Sequence, residues 1–161
     1  MDKSDLISRI IQNLHTELEQ AMTAAQQAHN GATHEQSKAE TQYDTIGLEH
    51  AYLAEGQSRR IDELLLQISK LENWQAPDFS EDDEVYLGAL VSLQSANNKQ
   101  TLTVFLAPAG GGQDIDHIQI ITPQTPLGQA LLGLGLEEEA RLANGQKYLI
   151  TQLNYGINRL D

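Results

Sequence analysis

Two segments of this 161-residue chain mirror each other about one point, and that symmetry restricts the fold more than any other feature. Ile7, Ile11, Leu14, Leu18, Ala21, Ala25 and Ala28 recur at steps of four and three, and so do Gly47, Ala51, Ala54, Ser58, Ile61, Leu65 and Ile68. Taken in opposite directions, the two series pair so that the residue numbers sum to 75 or 76, from Ile7 with Ile68 to Ala28 with Gly47. A constant sum is the condition for an antiparallel helical hairpin, and it puts the turn near Ser37 and Lys38. The alternation of steps is the repeat of a coiled-coil seam. Large side chains meet at the base, and Ala and Gly meet toward the tip. The expected element is a tapering rod of roughly 45 Å. A dimerisation strut has the same periodicity, so the pattern alone leaves that alternative open.

Such a rod has little core of its own. The segments are expected to divide as 1–75 for the antiparallel coiled-coil hairpin, 76–84 for a linker and 85–161 for a small C-terminal domain large enough to bury a core. Pro77 cannot continue a helix, and Ser80-Glu81-Asp82-Asp83-Glu84 is a solvated acidic run. Beyond it the pattern turns strand-like. Strands are expected over 85–93, 102–106, 115–121, 141–143 and 148–153, with a turn at Asn144-Gly145, the strongest short hairpin signal. A short helix is expected at 127–132, entered at Thr125 with Pro126 in its first position. The fold class is α+β: the hairpin, then an antiparallel, strongly curved sheet with one short helix against it.

Charge and composition narrow the function. Lys and Arg number 10 against 23 Asp and Glu, a net charge of −13 that both halves share. That surface repels phosphate backbones, so direct nucleic-acid binding, sequence-specific DNA binding included, is not expected. A basic protein surface or a metal-containing site is the better partner. The chain has no cysteine, which removes disulfides, cysteine-ligated zinc and thiol catalysis. It shows neither a signal-peptide pattern nor a long apolar span, so no membrane association and a cytoplasmic location are expected.

Few residues carry chemistry. Glu40 and Asp44, four apart near the expected tip, share one face of a helix and could contribute oxygen ligands to a divalent ion completed by others; a solvated acidic face is the plainer alternative. The histidines at 15, 29, 34, 50 and 117 include no metal-binding pair. Gly110-Gly111-Gly112 lacks the Lys-Ser/Thr of a phosphate-binding loop. No intrinsic cofactor is expected.

The run Thr125-Pro126-Leu127-Gly128-Gln129-Ala130-Leu131-Leu132-Gly133 resembles the Ser-Pro-Leu-Gly-x-Ala-Leu-Leu-Gly run of the Gre transcription elongation factors, GreA and GreB. Val85 to Leu93 resembles the opening strand of their C-terminal domain, Gly145 to Ile150 its closing strand, and Ser58 to Leu64 the returning arm of their coiled coil. The resemblance implies an FKBP-like C-terminal domain and binding to bacterial RNA polymerase. The globular domain would dock on the polymerase through Gln124, Thr125, Pro126 and Leu127. The rod would enter the secondary channel, where Glu40 and Asp44 would share the polymerase's Mg²⁺ and stimulate cleavage of backtracked RNA. The chain would be an accessory factor and not itself the nuclease. Against the family's tip motif, Asp-Leu-x-Glu-Asn-Ala-Glu-Tyr, this chain has Glu40 in place of the Asp, Tyr43 in place of the Glu and Asp44 in place of the Asn. At the docking turn Gln124 replaces an Asp and Thr125 a Ser. A regulator that occupies the channel without stimulating cleavage is therefore the alternative. A peptidyl-prolyl isomerase, suggested by the implied fold, would need an aromatic-lined pocket built from few aromatic residues.

Overall fold

The computed structural model describes residues 2–33, 55–78, 80 and 82–153. Within them lie helix α1 (Lys3–Thr33), helix α2 (Glu55–Glu72), strands β1 (Leu90–Ser95), β2 (Thr101–Leu106), β3 (Asp114–Ile115) and β4 (Ile118–Ile121), the short helix α3 (Pro126–Leu131), and strands β5 (Glu139–Arg141) and β6 (Lys147–Leu153). The class is α+β, two long helices followed by a six-stranded sheet with one short helix. The chain divides into two compact units. One comprises Met1–Gln12 with Lys70–Asp161, and the other Asn13–Ser69. The expected turn at Ser37 and Lys38 lies outside the described residues.

In the helical unit, Leu14, Leu18 and Ala25 of α1 and Leu64 and Ile68 of α2 are buried. Arg60 of α2 donates to Glu17 of α1 at 2.7 Å. The α1 series read from the sequence meets the buried stripe at Leu14, Leu18 and Ala25, but Ile7, Ile11 and Ala21 are only half-buried, Ala28 is exposed, and near the helix start Leu6 and Ile10 are the fully buried residues instead. The α2 series needs one correction: Leu65 is 50% exposed, while Leu64 is fully buried. Steps of four and three fit Ser58-Ile61-Leu65-Ile68 and also Ile61-Leu64-Ile68-Leu71. Three consecutive leucines, at 64, 65 and 66, put a leucine in either frame. Packing selects the second, whose four positions are all aliphatic.

The other unit is built on a sheet of order β3-β4-β2-β1-β6-β5. All neighbours are antiparallel except β2 and β4, which run parallel with Thr103 opposite Ile118. The expected all-antiparallel sheet is thus mixed. The chain leaves β2 at Leu106, reverses through the glycine triplet and the short β3, and re-enters beside β2 in the same direction. Successive side chains alternate faces. Val91, Leu93, Val104, Leu106, Ile150 and Leu153 point to one face and form a core with Leu131 of α3. Leu90, Phe105 and Ile120, in register across β1, β2 and β4, are buried on the other. There the Phe105 ring lies 6.1 Å from that of Trp74. The start of α1 belongs to this unit too. Leu6 and Ile10 are fully buried, Gln113 Nε2 donates to the Ile10 carbonyl at 3.3 Å, and Arg9 meets Asp116 at 2.6 Å.

Two strands expected to be continuous are broken. The segment 85–93 is strand only from Leu90, because Gly88 takes a φ of +96° and donates to the Leu106 carbonyl at 2.7 Å. A Cβ at Gly88 would sit 2.6 Å from Pro77 Cδ, so the linker's approach requires a residue without one. The segment 115–121 is two strands, with Asp116 and His117 both at positive φ (50° and 67°) as a two-residue reversal between paired Ile115 and Ile118. Such turns favour Asn-Gly, which is why Asp-His in an alternating apolar stretch reads as strand. The last hairpin is present, but β5 ends at Arg141, two residues before the expected end.

Candidate functional site

The nine-residue run from Thr125 begins where β4 ends. The chain turns at Thr122–Thr125, closed by the Thr125 N–H donating to the Thr122 carbonyl at 3.1 Å. The Thr125 hydroxyl donates to the same carbonyl at 2.8 Å and accepts from the Gly128 N–H at 3.1 Å. Thr125 is extended (φ −75°, ψ 155°) and is the N-cap of α3. A hydroxyl there satisfies one of the donors that a helix start leaves unpaired, and Thr in place of Ser keeps that chemistry. Pro126 follows in the first turn, where its missing N–H costs nothing.

Each later residue of the run has a structural reason. Gly128 is buried, and a Cβ on it would lie 2.0 Å from the Thr122 carbonyl oxygen. No other residue permits so tight a contact between turn and helix. Leu127 and Ala130 pack against the core, Leu131 is fully buried within it, and Gly133 donates to the Val85 carbonyl at 3.0 Å. The run therefore specifies one rigid knuckle on the sheet's helix-bearing face. Gln124 and Pro126 are exposed at its tip, while Thr125 and Leu127 are half-buried.

The other candidate residues, Glu40 and Asp44, lie outside the described residues. Their donor chemistry suits Mg²⁺, a hard cation that takes carboxylate oxygens. Among the described residues no group of three His, Asp or Glu side chains comes together to hold a metal, and no helix is long and apolar enough to cross a membrane. The aromatic residues that an isomerase pocket would use are dispersed in environment: Phe105 is fully buried, Tyr148 is half-buried, and Tyr86 is 63% exposed.

A second feature was not read from the sequence. An open cavity of about 610 Å³ is lined by Lys3, Ile7 and Ile11 of α1, Leu71 and Glu72 of α2, and Trp74 and Ala76 beyond it. Lys3 Nζ donates to the Pro77 carbonyl at 3.0 Å. Burial lowers the Lys3 pKa below its ordinary 10.5, with the Asp78 carboxylate opposing the shift. Sequence spacing placed Ile7 and Ile11 on the seam but carried no sign of the wall that the chain after α2 supplies.

A scan of protein-family models and a search of curated proteins give no match to this chain. Solved structures do resemble it. The crystal structure of GreA factor homolog 1 (Gfh1) of Thermus thermophilus is 21% identical, covering 90% of this chain and 94% of that one at a TM-score of 0.40. Thermus aquaticus Gfh1 is 22% identical, covering 89% and 93% at 0.40. The prokaryotic transcription elongation factor GreA/GreB from Nitrosomonas europaea is 18% identical, covering 70% and 91% at 0.36. The likeness is to Gre-type factors, and at these identities and TM-scores no activity follows from it.

Proposed function

We propose that this chain is a Gre-type transcription elongation factor that binds bacterial RNA polymerase, with the Gln124–Leu127 knuckle as its docking element and the helical rod as its channel probe. The observation that carries the reading is the run Thr125–Gly133. It resembles the Gre run residue by residue, and together with the preceding Gln124 it forms a knuckle with Gln124 and Pro126 exposed at the tip. The acidic surface, net −13, suits a basic protein partner better than nucleic acid. In this reading Glu40 and Asp44 are brought to the polymerase's Mg²⁺, which supplies the Lewis acid for phosphoryl transfer. This chain's own residues bind, position and add negative charge.

The test is transcript cleavage on stalled elongation complexes. Wild type is expected to stimulate cleavage. Glu40→Ala combined with Asp44→Ala is expected to abolish that stimulation while polymerase binding stays unchanged. Full stimulation by the double variant would refute the metal role. A second reading is favoured by the altered tip, whose acidic pair is spaced by four residues and not three: a regulator that occupies the channel without stimulating cleavage. Wild type that competes with a cleavage-competent factor but yields no cleavage product would select it. Absence of any binding to polymerase would remove both.

A further inference from the structure

The hairpin between β5 and β6 turns on Asn144-Gly145, the dipeptide whose side-chain amide is most easily lost. We infer that Asn144 is a deamidation site that the native hairpin holds closed and that opening of the β5 edge exposes. This inference is independent of the proposed function. In the reaction the Gly145 backbone nitrogen attacks Asn144 Cγ. The new C–N bond closes a five-membered succinimide, the Cγ–Nδ2 bond breaks, and ammonia leaves with the proton from Gly145 nitrogen. Water then opens the ring at either carbonyl, giving aspartate or isoaspartate.

The fold engages the attacking nitrogen and both polar atoms of the side-chain amide. The Gly145 N–H, the nucleophile's own, donates to the Leu142 carbonyl at 3.0 Å. Asn144 Oδ1 accepts from the Gln146 N–H at 2.9 Å, and its Nδ2 donates to Gln146 Oε1 at 3.1 Å. The side chain is thus held toward residue 146 and away from the nitrogen that must attack it. The Leu142 N–H closes the turn on the Gln146 carbonyl at 2.9 Å. All three residues 144–146 are exposed, so water is present and only geometry withholds the reaction. β5 is a three-residue edge strand, and short edges open locally at low cost. The products differ in consequence. Aspartate keeps the acceptor for Gln146 N–H and loses only the Nδ2 donor. Isoaspartate lengthens the main chain by one carbon and breaks the Leu142–Gln146 closure.

The experiment is peptide mapping by mass spectrometry on the full chain, incubated at mildly alkaline pH with and without urea. The other Asn-Gly in the chain, Asn30-Gly31, provides an internal control in the denatured sample. Deamidation at Asn144 is expected to be slower in the native chain by about tenfold or more. Gln146→Ala, a change at an exposed position, is expected to raise the native rate several-fold and leave the urea rate unchanged. Equal native and urea rates for wild type would overturn the inference, as would a native rate unmoved by Gln146→Ala.

Discussion

Thr125 shows how one hydroxyl organises a site. It closes the turn behind it through Thr122 and caps the helix ahead through Gly128. Thr125→Ala is expected to cost about 1 kcal/mol of stability, and Thr125→Ser only a few tenths, as read from urea unfolding midpoints. Lys3 supplies a pH dependence. Its folded pKa lies below 10.5, so between that lowered value and 10.5 the unfolded chain binds more protons. Stability then rises with pH across that window and the contribution is complete above 10.5. The difference in unfolding midpoint between wild type and Lys3→Met, followed from neutral to strongly alkaline pH, is expected to show this rise. A flat difference would contradict it. The capping role of Thr125 was legible in the sequence, because Thr-Pro before an apolar run is a helix-start signal. The environment of Lys3 was not, because Pro77 and Asp78, 74 and 75 residues away in sequence, create it.

Elements were legible where their period was long and unbroken. α1 and α2 show steps of four and three over many turns, and local geometry alone puts those residues on one stripe. The frame within α2 is a different matter, since Leu64 and Leu65 are equally apolar and burial tells them apart. Leu64→Ala is expected to cost about 2–5 kcal/mol, and Leu65→Ala about 0.5 kcal/mol or less, measured by thermal or urea unfolding. The reverse order would restore the frame that contains Leu65. Strands were legible in place but not in number or extent: five were expected and six form. Gly88 interrupts one because Pro77 packs where a Cβ would be. Asp116 and His117 interrupt another in a turn whose usual residues are absent. Both interruptions depend on tertiary neighbours that no local window contains.

At the scale of the whole molecule, the sheet shares its compact unit with the start of α1, Met1–Gln12, and with the chain from Lys70, at the end of α2. A fragment of residues 76–161 would lack Leu6, Ile10, Leu71 and Trp74, and the Phe105 face would lose its ring partner. Such a fragment is expected to unfold at lower urea than the sheet of the full chain and to bind a hydrophobic dye. A fragment as stable as the intact sheet would show that the helix ends add nothing.

What the amino-acid order determined by itself is everything carried by short-range geometry: two long amphipathic helices, the capped start of α3, the Asn144-Gly145 reversal and the overall negative charge. Helical repeat, side-chain capping and turn preference act over a few residues, so a linear reading contains them. What only the tertiary structure decided is which of three adjacent leucines turns inward, that β4 lies parallel to β2, and where strands stop. Those outcomes follow from burial and close packing between residues distant in the chain, and their energies do not exist until the partners meet.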